Sequence, residues 1–157
     1  MARRNLQSEG RKALKARLGT ITPENNYSTR AGTNVQSGWF NEVIQAENVA
    51  YPLVVVQRAK DQDPKHGADG IRKHCGFNII GAVKAGLDDY EDALDDLELD
   101  LIECLMPLEG VPVEWLPNGI PKLVIGAAQQ VPPGEGLNAA TVIIPVYLHL
   151  FVQAHPD

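Results

Sequence analysis

The segment Leu87–Met106, LDDYEDALDDLELDLIECLM, restricts the fold more than any other part of the chain. Tyr90, Leu94, Leu97, Leu101 and Leu105 recur at spacings of four, three, four and four, which places them on one face of a helix. A helix with such a stripe has to cover an apolar surface, so the chain must also supply a sheet or a second helix for it. The opposite face is crowded with carboxylates. Asp88, Asp89, Glu91, Asp92, Asp95, Asp96, Glu98, Asp100 and Glu103 put nine negative charges into sixteen residues, and no Lys or Arg lies between Lys84 and Lys122. A helix dipole favours acids in the first turn by roughly 0.3–1 kcal/mol each. That leaves Glu98, Asp100 and Glu103 without an account. Either this face is solvated, or it meets a partner subunit or DNA.

Four segments have the pattern of strands that could form the covered surface. YPLVVVQR, Tyr51–Arg58, is apolar on both sides and mostly β-branched, as in a central strand. His74–Lys84 alternates, with Cys75, Phe77, Ile79 and Val83 on one face and His74, Asn78 and Lys84 on a wet one. Pro121–Gln130 points Leu123, Ile125 and Ala127 inward. Thr141–Val152 has a wholly aliphatic side, Val142, Ile144, Val146, Leu148, Leu150 and Val152, while Pro145 on its other side predicts an edge position or a bulge.

The remaining segments are a helix and loops. Arg3–Leu18 reads as a helix with Leu6, Ala13, Leu14 and Leu18 on one side, weakened at Gly10 by about 1 kcal/mol relative to Ala and stopped at Gly19. Thr20–Gly38 is a polar arm or loop without apolar periodicity. Trp39–Val49 suits a short helix or a strand. Asp61–Gly70 is a loop by composition, the prolines and glycines after Met106 form another that packs Val113 and Trp115, and Val131–Asn138 is a turn that a hairpin could carry. The order predicts a single α+β domain spanning residues 1–157. It would hold a largely antiparallel four-stranded sheet with two main helices packed on one face.

Charge is distributed unevenly. The chain of 157 residues carries a net charge of −6, yet Arg3, Arg4, Arg11, Lys12, Lys15 and Arg17 against Glu9 make its first helix basic. A positive end and a negative helix favour head-to-tail contacts between copies, and the overall sign is wrong for holding DNA. Cys75 and Cys104 are isolated in apolar segments, as reduced core residues of a protein made in the cytoplasm would be. No apolar run approaches the roughly 20 residues of a membrane span.

The residues do not assemble a recognisable reactive centre. His66, His74, His149 and His155 have no neighbouring ligand at metal spacing. Asp61, Asp63 and Asp69 are loosely spaced like calcium ligands, but Arg72 stands where an EF-hand needs Glu. Ser8, Ser28 and Ser37 lie in no nucleophile elbow. The paired carboxylates lack a complementary base across a cleft, and the glycines of VPPGEGLN do not open a helix as a phosphate loop would. No enzyme, cofactor or metal is expected. A small ligand-binding α+β domain or enzyme stays open as an alternative and would need a deep polar pocket.

In the order of its elements the chain resembles the tail terminator proteins of long-tailed bacteriophages, also called minor tail or tail completion proteins. The resemblance rests on the basic helix Arg3–Leu18, the tract with Tyr27 and Arg30, the strand YPLVVVQR, a second strand, the acidic helix, and a closing hairpin of GIPKLVIGAAQQ and ATVIIPVYLHLFV. It spans about residues 3–152 and matches Arg30 with an arginine that follows the family's first helix. It implies a structural virion protein at the head–tail junction, made in the host cytoplasm. Six copies would form a ring that caps the tail-tube protein, stops its polymerisation and faces the head connector. A head-to-tail connector or other neck protein is the neighbouring alternative. Asp92, Asp95, Asp96 and Glu103 with Arg11, Lys15 and Arg30 are then the candidate inter-subunit or channel-lining residues. Carboxylates lining the channel would let DNA pass without sticking.

Overall fold

The computed structural model describes residues 2–46, 49–86, 90–134 and 138–155. Part of the Trp39–Val49 segment, Leu87, Asp88 and Asp89, and part of the VPPGEGLN turn, all used in the expectations above, lie outside them. The described elements are α1 (Leu6–Leu18), β1 (Val35–Ser37), α2 (Phe40–Ile44), β2 (Leu53–Arg58), β3 (Gln62–His66), β4 (Gly70–Lys84), α3 (Tyr90–Leu105), β5 (Lys122–Ile125), β6 (Gln129–Val131) and β7 (Ala139–Gln153). The strands make one seven-stranded mixed sheet in the order β1-β2-β4-β7-β5, with β3 also on β4 and β6 also on β7.

The expected four-stranded antiparallel sheet is therefore corrected. Its four strands are present as β2, β4, β7 and β5, antiparallel in that order, but three short strands extend it. β1 runs parallel to β2, and the stretch between them, which includes α2, forms the long connection that a parallel pair needs. Val-Gln-Ser is too short and too polar to announce itself by alternation. β3 pairs with β4 around a register shift, and its five residues are all exposed, so composition marks it as loop.

β6 comes from a break in the predicted strand Pro121–Gln130. Ile125 pairs with Val146 and Gln129 with Ile143, so one extra residue is accommodated in the margin strand, a bulge. Pro145 stands opposite this break, where its carbonyl accepts Gly126 N–H at 2.7 Å. In an antiparallel strand the N–H and carbonyl of one residue point the same way, so the donor that proline lacks faces the bulge. β7 is thus an interior strand, and the irregularity that Pro145 predicts lies in its partner.

The long pair β4–β7 carries the core. All fifteen residues of each strand are in register with the other, a ladder about 50 Å long at roughly 3.4 Å per residue. Phe77, Ile79, Val142, Ile144, Val146 and Leu148 of its inner face are buried with Leu14 and Leu18 of α1 and Leu94, Leu97 and Leu101 of α3. The expected helix stripe and the expected aliphatic strand face therefore meet. Gly81 lets α3 sit close, since a Cβ there would lie 2.8 Å from Leu97 Cδ2. Gly10 does the same for α1, with a Cβ position 2.6 Å from Leu148 Cδ1. Its cost to the helix is offset by close packing. The third helix, α2, lies on the other face, where Phe40, Val43 and Ile44 pack against Leu53, Val55 and Ala82.

Residues 20–38 run against both main helices before entering β1. Ile21 and Ala31 are fully buried, and Gly32 N–H donates to Ile21 O at 2.7 Å. The decisive contact is to α3. Asp100, only 3% exposed, accepts Ser28 N–H at 3.2 Å and Thr29 N–H at 2.8 Å. A buried carboxylate is costly unless such donors meet it. Asp100 thus leaves the solvent-facing set to which its position among the acids assigned it.

Replacing Asp100 by Ala should lower unfolding stability by about 1–3 kcal/mol, because two part-buried backbone N–H groups lose their acceptor. Replacing the exposed Asp96 by Ala should change it by no more than about 0.5 kcal/mol. Urea melts of both variants, with amide exchange at Ser28 and Thr29, check this contrast.

Candidate functional site

α3 presents three different flanks besides its core stripe. Asp100 and Cys104 are buried beside the 20–38 segment. On the other side Asp95 accepts Gln130 Nε2 of β6 at 2.7 Å, and Glu98 accepts the same nitrogen at 3.3 Å. Pointing away from the core are Asp92, Asp96 and Glu103, all exposed. They share their ridge with Leu99, which is 62% exposed. Among the described residues no Lys or Arg forms an ion pair with any of these acids.

The basic candidates lie elsewhere. Lys15 is exposed and Arg11 half-buried on α1. Lys12, Lys15, Ala16 and Gly19 of the helix, with Gly32, Thr33 and Val35, line a shallow groove beside β1. Arg30 pairs loosely with Glu24 at 3.7 Å, with both side chains largely in solvent, so this pair adds little stability. The fold does not bring the acidic and basic candidates together within one chain. It sets the basic flank of α1 by the β1 margin of the sheet and the acidic flank of α3 by the β6 margin.

Arg17, read only as one more cation of the basic helix, has a structural role instead. Its Nε donates to Cys104 O at 2.9 Å, at the end of α3 where unpaired carbonyls attract a cation, and its guanidinium lies 5.9 Å from the Trp115 ring centre. Cys104 Sγ contacts Arg17 O at 3.2 Å, and burial pushes the thiols of Cys75 and Cys104 up. Neither cysteine is in a disulfide. The carboxylate of Asp61 is likewise committed. It pairs with Lys73 and with Arg58 and accepts Gly76 N–H at 2.9 Å. Burial pulls its pKa up, but those hydrogen bonds outweigh burial and leave it lowered.

One cluster has no precursor in the sequence expectations. His74 and His149, opposite each other on β4 and β7, stack with ring centres 4.0 Å apart. His74 is buried, and its Nε2 has no hydrogen-bond partner among the described residues. Burial, followed by His74, Lys122, Arg72 and Lys65, lowers the pKa of His149 to about 4. Two histidines 75 residues apart on strands of unknown register carry no sign of this pairing; only the strand alignment could reveal it. The described residues contain no group of three or more His, Cys, Asp or Glu placed to hold a metal. No described helix is long and apolar enough to cross a membrane.

No protein-family model and no curated protein matches the chain. What defines the candidate site is therefore its own geometry: two surfaces of opposite charge on one sheet-and-helix body, with no ion pair joining them among the described residues.

The histidine pair sets a pH dependence. In the unfolded chain His149 gains its proton near pH 6.5, whereas in the fold it does so near pH 4. Between these values the unfolded state binds more protons, so stability is complete above about pH 6.5 and falls as pH drops toward 4. His149→Phe keeps a ring against His74 and removes this titration. Its thermal midpoint should fall less than that of the native protein between pH 7 and pH 4.5.

Proposed function

We propose that this protein is a structural assembly protein of a long-tailed phage. In this reading it is a tail terminator that forms a ring, of six copies in the family it resembles, on the last ring of the tail tube. The observation that carries the proposal is the placement of charge. A cyclic ring uses two different surfaces on every subunit, and here a cationic and an anionic surface lie on different helices. Lys12 and Lys15 line the groove beside β1, while Asp92, Asp96 and Glu103 stand exposed on the outward side of α3. Each copy can then offer its acidic side to the basic side of the next.

The buried polar groups support a structural rather than a catalytic part. Asp61 and Asp100 are engaged by backbone and cationic donors. Within the ring, carboxylates left facing the channel would repel phosphates and let DNA pass. The remaining rim would meet the head connector.

Light scattering on the purified protein, alone and mixed with tail-tube protein, tests the proposal. A ring-sized mass in either sample is the expected result, with ring-shaped particles and arrested tube growth in electron micrographs. A strictly monomeric mass in both samples would overturn it.

A further inference from the structure

The outward ridge of α3 is not simply acidic. Asp92, Asp96, Leu99 and Glu103 follow one another at spacings of four, three and four, which stacks them on one line of the helix surface, and Met106 comes directly after the helix. This line lies opposite the buried stripe of Leu94, Leu97 and Leu101. Leu99 is 62% and Met106 54% exposed. A leucine flanked by carboxylates on a solvent-facing ridge is an apolar knob with a charged collar.

The groove beside α1 has the complementary form. It is lined by Lys12, Lys15, Ala16 and Gly19 along the α1 side and by Gly32, Thr33 and Val35 facing them. Gly32 is held there by the backbone, since a Cβ on it would lie 2.5 Å from Gly19 O. Among the described residues neither lysine forms an ion pair; Glu9, the acid of the same helix, is held by Arg4 at 2.6 Å. The groove thus sets the small residues Ala16, Gly19 and Gly32 beside the two lysines of α1.

We infer that the groove receives the α3 ridge of a second copy of this chain. Leu99 seats on Ala16, Gly19 and Gly32, and Asp96 and Glu103 face Lys12 and Lys15. Charge complementarity selects this occupant. The ridge supplies an apolar anchor between acids, the groove small residues beside cations, and among the described residues neither set of charges forms an ion pair. Because ridge and groove are different surfaces, the contact is head-to-tail and repeats from copy to copy. The inference rests on the ring proposed above and names the contact that would build it.

Two charge-reversed proteins test it, Lys12→Glu with Lys15→Glu and Asp96→Lys with Glu103→Lys. All four positions are on the outer sides of α1 and α3, so both variants should melt close to the native protein. Each alone should self-associate at least about tenfold more weakly than the native chain, as truncation of interface anchors commonly does. An equimolar mixture, in which every ridge again finds an opposite groove, should recover the native mass. A further protein with Leu99→Cys and Thr33→Cys and native charges should give ladders beyond the dimer with a short bis-maleimide. If the native chain forms rings while both reversed proteins form them equally well and no ladder appears, the contact is wrong and the ring uses another surface. If the native chain is monomeric alone and with tail-tube protein, the ring itself fails and the contact with it.

Discussion

The carboxylate of Asp100 joins the parts of the molecule that the chain order leaves separate. Two backbone N–H groups of the 20–38 segment end on it, at 3.2 and 2.8 Å, and Asp100 itself is buried. A charge in such a place is stable only while both donors stay, and the donors are satisfied only while the charge is there. This mutual requirement fixes the segment against α3. From there the chain returns to the end of α1 through the Gly32–Ile21 bond and enters β1. The groove, the position of β1 and the burial of Ile21 and Ala31 all follow from that anchoring.

Much of the interior is legible in the sequence because burial imposes periodicity. The α3 stripe, the apolar run of β2 and the alternating β7 all announce which side faces inward, and they meet in one core. The sheet's extensions do not announce themselves. β1 and β6 are three residues each and β3 is wholly exposed, so neither length nor apolar alternation separates them from loops. Gly10 reads as a flaw in a helix until the sheet beneath it is known. The bulge signal at Pro145 is real, but a single strand cannot say whether the irregularity is its own or its neighbour's.

The candidate site was legible as composition and not as arrangement. The excess of acids over one stretch and of bases over another is visible at once. Which acids are spare is not, because Asp100 differs from Asp96 only by its angle around the helix. The same holds for the cations: Arg17 caps α3 while Lys15, two residues away, borders a groove. The histidine stack is a property of strand register alone. In each case the deciding information is which element lies next to the residue, and that depends on contacts distant in the chain.

The margins of the sheet have a consequence for how copies could join. β1 offers three residues of outer backbone and β5 with β6 a short, broken edge, while β3 carries Pro64 and a register shift. Short, interrupted edges give an incoming strand too few rungs to extend the hydrogen-bond ladder. Fibre growth by strand addition is therefore discouraged at both sides. Any contact between copies would then rest on side chains, and a contact of that kind can come apart and be remade without unzipping a ladder.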